Sequence, residues 1–465
     1  RRRCSNSDAS SCCAGTVGMT RKTAGRRLAL DALVAIEQEG AYANRILNYL
    51  FAREQPEKKE KRLATELVLG TLRHRSRLDF HLNRLLTKEL SGLPVPIREV
   101  LRLSLYQLIF TCHPAYAVVN EAVALTKAGK CPGLSRLVNG VLRNYLRRRQ
   151  ELEQALPDFA QDPVGHLTIV HSHPRWLVER WFARWGGEKT HRLVEANNAP
   201  APLSVRTNTL RLSRDELLAA MAAAGIAGAP VPTIPEALRL KSGQDLTSNP
   251  LWVEGYFYIQ DEASMLVAHL LAPEPGMVIA DLCAAPGGKT THLAQLMNNR
   301  GRIYALDQFE HKTALIAENA CRLGIEIIEP LTTDARCWRP AEPVDGILLD
   351  APCTGTGVFR RRPDIRWRRQ PDDLAQLVPL QQELLCHAAS LLKPGGRLVY
   401  STCSLESEEN EEQIGRFLAA HPAFRVDLPD NFAAGFPAER LAEGILIMPQ
   451  MDGADGFFMT RLVKA

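Results

Sequence analysis

Val278-Ile-Ala-Asp-Leu-Cys-Ala-Ala-Pro-Gly-Gly-Lys-Thr290 is the stretch that decides how this chain folds. Val278 to Leu282 read as a short buried strand, Gly287 and Gly288 as a tight loop, and Thr291 onward as a helix. A strand, loop and helix in this order build a ligand site. The glycines let a ligand approach the backbone closely, and the first-turn N–H groups of the helix have no partner within it. The spacing does not fit G-x-x-x-x-G-K-[ST], and the chain has no G-x-G-x-x-G. The loop alone therefore leaves its ligand open, and the strands that follow must decide.

Downstream, the pattern alternates strand and helix. Strands are expected at Val278 to Asp281, Arg302 to Asp307, Ile325 to Pro330, Gly346 to Asp350 and Arg397 to Cys403, with helices such as His311 to Leu323 and Ala375 to Leu392 between them. A largely parallel open sheet fits this grammar, and Lys393-Pro-Gly-Gly396 reads as the turn into the fifth strand. Ile445 to Met448 and Gly456 to Leu462 supply late antiparallel strands. In such a sheet the carboxyl ends of the strands share one edge, where ligands bind. Asp281, Asp307 and Asp350 end strands there, Asp334 follows one, and Cys403 closes the fifth. Asp307 is placed to accept from ribose hydroxyls, and Asp334 to meet an adenine amino group. Together they imply an adenosine-containing cofactor, either a nicotinamide dinucleotide or S-adenosylmethionine.

Asp350-Ala-Pro-Cys353 and Ser401-Thr-Cys403 narrow the chemistry. Cytosine C5 is not nucleophilic enough to take a methyl group unaided, but addition of a thiolate to C6 makes it so. The product keeps a proton on C5 whose removal expels the thiolate, so a nucleophile and a base are both needed. Two strand-end cysteines can fill these roles.

The 465 residues, 45% of them hydrophobic, are enough for two to four domains. No apolar run is long enough to span a membrane and no secretion signal opens the chain, so the expectation is a cytoplasmic protein. Eleven cysteines without repeated C-x-x-C spacing argue against structural zinc or a disulfide framework, and no metal is expected. The net charge of +5 permits a polyanionic partner without requiring one.

Residues 1–19 read as a disordered tail or an over-extended start, with Met19 at its end. Residues 20–150 are helical throughout: Leu28, Ala32 and Ile36 mark one face, Leu67 and Val68 a second, Leu101, Leu105 and Leu108 a third. Arg73, Arg75, Arg77, Arg143, Arg147, Arg148 and Arg149 offer a positive surface for RNA phosphates or, equally, solvated helix faces. Residues 151–274 form a linker and a small α/β module, in which Trp176, Trp181 and Trp185 belong to a packed helical face. Residues 275–465 form the main sheet domain.

The stretches Asp281-Leu-Cys-Ala-Ala-Pro-Gly-Gly-Lys289, Asp350-Ala-Pro-Cys353 and Thr402-Cys403 resemble the RNA cytosine-5 methyltransferases, and more narrowly those acting on bacterial small-subunit ribosomal RNA. The likeness extends to Phe257-Tyr-Ile-Gln-Asp-Glu-Ala-Ser264, to Asp455-Gly-Phe-Phe458 and to the N-terminal helices, and covers residues from about 20 to 465. It implies an all-α NusB-like RNA-binding domain, a small α/β module and a class I Rossmann-like methyltransferase domain using S-adenosyl-L-methionine. By resemblance, Cys403 is the nucleophile, Cys353 aids proton removal, and Asp350 lies near both base and cofactor. The same likeness places Cys283, Ala284, Ala285, Pro286, Gly287, Gly288, Lys289, Asp307 and Asp334 around the cofactor. Pro352 shapes the base pocket, with its carbonyl free to accept from the cytosine amino group. Arg360, Arg361, Arg362 and Arg366, with Arg368 and Arg369 beside them, are expected to anchor RNA phosphates. The implied substrate is small-subunit ribosomal RNA, at cytosine 967 in the narrow reading, with no membrane and no obligate protein partner. A related enzyme for another RNA cytosine, or a non-catalytic RNA-binding assembly factor, are the competing readings.

Overall fold

A computed structural model describes residues 24–241 and 246–465, so the tail expected over 1–19 lies outside the described residues. The chain forms two compact units, one ending at Ser172 and the other running from His173 to Ala465. No helix among the described residues is long and apolar enough to cross a membrane.

The first unit is helical. Its helices are α1 (Ala24–Glu39), α2 (Ala43–Glu54), α3 (Lys58–Arg73), α4 (Arg75–Leu85), α5 (Val95–Phe110), α6 (Ala115–Ala128), α7 (Ser135–Gln154) and α8 (Pro163–Ile169). α5 is apolar on most sides and packs against α1, α3, α4, α6 and α7. Its Leu101, Leu103 and Leu105 are fully buried, and each contributes about 1.5–3 kcal/mol by leaving water. α3 comes close because Gly70 faces Tyr106, where a Cβ would lie 2.0 Å from the ring. The arginines expected to form a positive surface divide in two. Arg75 pairs with Glu37 and Arg77 with Glu153, whereas Arg143, Arg147 and Arg149 on α7 are exposed.

The second unit begins with α9 (Arg175–Asn198), kinked at Gly186 where φ is +75°. Trp181 packs inward from it at 1% exposure, as a packed helical face requires. β1 (Leu203–Thr207), α10 (Arg214–Ala223), β2 (Gly228–Pro230), β3 (Ala237–Leu240), α11 (Pro250–Val253) and β4 (Phe257–Ile259) follow. The four strands form an antiparallel sheet in the order β2-β3-β1-β4. α10 starts in a capping box, Ser213 and Glu216 each satisfying the other's backbone N–H.

The larger sheet is built from α12 (Glu262–Leu271), β5 (Val278–Asp281), α13 (Gly288–Leu296), β6 (Arg302–Asp307), α14 (Glu310–Leu323), β7 (Ile328–Thr332), β8 (Val344–Asp350), α15 (Ile365–Arg368), α16 (Pro371–Leu391) and β9 (Leu392–Thr402). α17 (Glu411–Ala420), β10 (Phe424–Val426), β11 (Glu439–Arg440), β12 (Ile445–Ile447), α18 (Pro449–Asp452) and β13 (Phe457–Lys464) complete it. Five parallel strands run β9-β8-β5-β6-β7, and β13 joins antiparallel beside β9, pairing on its other side with β12 and β10. The chain leaves β5 in one direction through β6 and β7, then crosses back to β8. This reversal opens a crevice at the carboxyl ends of β5 and β8, the place where such sheets take their ligands.

Two strand starts differ from expectation by three residues or more. Ile325 belongs to the end of α14, where Gly324 turns into the left-handed region and the Ile325 N–H bonds to the Ala320 carbonyl at 2.9 Å. The strand therefore starts three residues later. Lys393 to Gly396 are not a separate turn but lie within β9, with an irregularity against β8 between Val344 and Gly346 and a positive φ of 73° at Gly395.

Candidate active site

At the ends of β8 and β9 two thiols meet: Cys353 Sγ lies 3.3 Å from Cys403 Sγ. Each sits in a loop fixed from several sides. The Ala351 N–H bonds to the Ser401 carbonyl at 2.9 Å, and the Gly357 N–H to the Cys403 carbonyl at 2.9 Å. Gly355, at φ +72°, passes close enough that a Cβ there would touch Cys403 Sγ at 3.9 Å. Asp350, between the two loops, accepts from Ser401 Oγ at 2.8 Å and from Lys289 Nζ at 2.7 Å. Burial works against the Lys289 charge, but the Asp350 carboxylate outweighs it and raises the ammonium's pKa, with Cys403 adding to that field. The Cys353 thiol is held well above its ordinary value, first by its hydrogen bond to Cys403 and then by burial.

The cofactor residues expected from the sequence lie along the β5 and β6 side of the same edge. Gly287 adopts φ +98° as the residue before α13, and Gly288 packs on Tyr258, where a Cβ would be 3.0 Å from the ring. Ala284 bonds through its N–H to the Leu306 carbonyl at 2.9 Å, which ties the loop of Cys283, Ala284, Ala285 and Pro286 to β6. Asp281 is 1% exposed and its carboxyl is pushed up to about 7 by burial. It accepts from the Thr290 hydroxyl at 2.7 Å, and the Cys283 N–H also acts on the carboxylate. Asp307 accepts from the Phe309 N–H at 3.1 Å and from Lys312 at 3.3 Å. Burial, followed by the carboxylates of Asp281, Asp350 and Asp307, pushes the Cys283 thiol well up, so it stays a neutral wall. Asp334 departs from expectation: both oxygens are engaged by the Arg336 guanidinium, and Oδ1 also by the Arg336 N–H, which holds the carboxyl below its usual range. An adenine amino group would have to compete with that pair.

Comparison with known proteins fixes what this constellation belongs to. Residues 268–463 match the family model described as 16S rRNA methyltransferase RsmB/F, residues 23–147 match the NusB family, and residues 173–247 match the RsmF/B-like ferredoxin-like domain. The probable ribosomal RNA small subunit methyltransferase B of Bacillus subtilis is 38% identical over 96% of this chain and 99% of its own. The chain belongs to the RsmB/F methyltransferase family. A Klebsiella pneumoniae member, named ribosomal RNA small subunit methyltransferase B, is 37% identical over 94% of this chain and 98% of its own. A solved methyltransferase homologue from Pyrococcus horikoshii is 33% identical, with TM-score 0.56, over 64% of this chain and 97% of its own.

In this RsmB/F chain the arginine-rich loop after β8 is turned inward. Arg361 bridges Asp261 and Asp455, each at 2.8 Å, and so joins the turn before α12 to the turn before β13. Arg360 is 8% exposed and bonds to the Gly453 carbonyl at 2.7 Å. Arg366 is fully buried and donates to Asn198 Oδ1 at 3.0 Å. These placements correct the expectation of phosphate anchors for Arg360, Arg361 and Arg366: their guanidiniums hold protein groups instead. Arg362, the next residue of the same loop, is exposed. Arg369 donates to the carbonyls of Thr354 at 2.6 Å and Cys353 at 3.2 Å. The Pro352 carbonyl, expected to be free for a base, accepts from Gln381 Nε2 at 2.9 Å.

Three supports were missed by sequence reasoning. Glu409, buried and with its carboxyl raised mainly by that burial, accepts from the Thr354 N–H at 2.9 Å, the Thr354 hydroxyl at 2.5 Å and Gln381 at 2.9 Å. Gln381 shares a face of α16 with Leu384, Leu385 and Ala388, and a polar residue on an apolar stripe is the signal that could have found it. Arg206, fully buried inside β1, donates to the Gly288 carbonyl at 2.6 Å and to Thr291 at 2.9 Å, so it fixes the glycine loop from behind. A charge in the middle of an apolar strand was its signal.

Proposed function

We propose that this methyltransferase uses S-adenosylmethionine to methylate C5 of one cytosine in small-subunit ribosomal RNA, cytosine 967 in the narrow reading, in the cytoplasm, through a covalent bond from Cys403. The observation that carries the reading is the pair of thiols 3.3 Å apart at the ends of β8 and β9, next to the switch point of the sheet. The residues beside them fit the cofactor. Its ammonium and ribose hydroxyls are donors, and Asp281 and Asp307 offer acceptors; Asp334 would meet the adenine amino group by sharing the oxygens that Arg336 holds. Its carboxylate suits the free first-turn N–H groups behind Gly287 and Gly288. Bound there, it supplies an electrophilic methyl group on a sulfonium.

The protein's part follows from its own groups. Cys403 loses its proton and its sulfur bonds to C6, which shifts the C5–C6 electron pair onto C5 and makes C5 the methyl acceptor. Lys289 keeps a positive charge beside the thiolate, and Asp350, gripped by Ser401 and Lys289, faces the base edge. Once Cys403 is a thioether, it no longer carries the charge and acceptor sulfur that held the proton on Cys353. Cys353 then gives its proton to solvent and, as a thiolate, takes the C5 proton. The C5–H electrons rebuild the double bond, the S–C6 bond breaks, and the Cys403 thiolate leaves.

The test separates the cysteines. Cys353→Ala and Cys403→Ala are each incubated with substrate RNA and methyl-labelled cofactor, then resolved under denaturing conditions. Cys353→Ala should carry labelled RNA on the protein, and Cys403→Ala should form neither adduct nor product. An adduct on the Cys403 variant and none on the Cys353 variant reverses the roles and overturns the mechanism.

A further inference from the structure

Behind the glycine loop, α13 carries a histidine that the proposed reaction does not use. His292 is fully buried, and its Nδ1 has no hydrogen-bond partner. Its Nε2 lies 2.7 Å from Glu236 Oε1, and the same carboxylate oxygen is 2.8 Å from His269 Nε2. The two imidazoles stand nearly perpendicular, at 88°, with centroids 5.2 Å apart. Glu236 comes from the turn before β3, His269 from α12 and His292 from α13, so three elements aim one donor atom each at the same point, all within 4.8 Å of one another. Hydrogen bonding explains the His269 contact with Glu236. His292 Nε2 reaches the same carboxylate oxygen, so one acceptor faces two imidazoles at once.

We propose that Glu236, His269 and His292 form a binding site for a divalent transition metal of the zinc type. Two imidazole nitrogens and one carboxylate oxygen are a donor set that suits zinc at about 2.0–2.2 Å, and the ligand atoms need to separate by about half an ångström to admit the ion. His269 keeps 27% of its side chain exposed, so the cluster meets solvent on that side. The Arg206 charge also acts on His292 and opposes a cation, so the site binds less tightly than a closed cysteine site. The ion would join the small sheet to α12 and α13. No short spacing links the three ligands in sequence, which is why the expectation of no metal missed them.

Equilibrium dialysis of the chelator-stripped full chain against zinc chloride, with bound zinc counted by mass spectrometry, tests this. Wild type should hold one equivalent more than His269→Asn and than Glu236→Gln, and zinc should raise the melting temperature of wild type but of neither variant. His269 is partly exposed and Glu236→Gln is isosteric, so at least one variant is expected to fold. Wild type binding no zinc, or a folded variant binding as much as wild type, overturns the proposal.

Discussion

The loop between β8 and α16 and the exposed side of α7 carry arginine at similar density and hold it in opposite ways. In the loop, Arg361 is clamped between two aspartates, Arg366 is fully buried, and Arg369 reaches the carbonyls beside Cys353. On α7, Arg143, Arg147 and Arg149 face solvent, with Arg143 and Arg147 bonded to asparagines of their own helix. A guanidinium has five donors in a fixed fork, so it can serve as a rigid internal brace as well as a phosphate ligand. The number of carboxylates and carbonyls within reach decides which. The loop brings Asp261, Asp455 and several carbonyls to its arginines; α7 has few such partners.

The most damaging way to test this contrast is Arg361→Ala. It leaves Asp261 and Asp455 facing each other without their cation, and breaking such a buried arrangement costs about 3–5 kcal/mol. Denaturant unfolding should show it. The loss should also depend on pH in a defined direction. Burial first, and then Asp261, push Asp455 up to about 7 in the fold, so the folded state retains a proton that the unfolded chain gives up near the ordinary aspartate value. This group's contribution to stability therefore falls as pH rises through that window. The Arg361→Ala penalty should shrink when unfolding is measured at pH 5 instead of 7.

Arg369→Ala should do less to stability and more to chemistry. It removes charged hydrogen bonds to the Thr354 and Cys353 carbonyls, worth about 1.5–3 kcal/mol each, and loosens the loop that sets the distance between sulfurs. A fall of about tenfold to a hundredfold in kcat, with RNA affinity nearly unchanged, is expected from single-turnover methylation. If RNA affinity falls and kcat does not, the inward reading of the loop fails.

The gentlest effect belongs to α7. Replacing Arg143, Arg147 and Arg149 with alanine should leave unfolding within about 0.5 kcal/mol of wild type. RNA binding should weaken, and the slope of log affinity against log salt should fall by about 0.7 per lost phosphate contact. Unchanged salt dependence would make these ordinary solvated charges and reduce the contrast to one of burial alone.

The strands that carry chemistry were legible because their signal is local. Val278–Asp281 and Arg302–Asp307 emerge with the expected bounds, since parallel strands covered on both faces read as short apolar runs. The strand-end aspartates and cysteines followed from the rule that such a sheet gathers its carboxyl ends. What sequence could not supply were partners distant along the chain. Asp334 looked available until Arg336 took it, and Pro352 until Gln381 did. Arg361 looked like a phosphate ligand because Asp261 and Asp455 lie a hundred residues before it and nearly as many after it. Charge runs state how much charge is present, and only tertiary contacts state where it is satisfied.

Gly357 and Gly456 approach so closely that a Cβ on Gly357 would lie 2.1 Å from the Gly456 carbonyl oxygen, and the Gly456 N–H bonds to the Gly357 carbonyl at 2.8 Å. The loop that holds Cys403 therefore leans on the turn leading into β13. This sets an order of events during synthesis. A ribosome extrudes β5 to β9 well before β13, so the loop beside Cys403 gains its backing only when the last strand arrives.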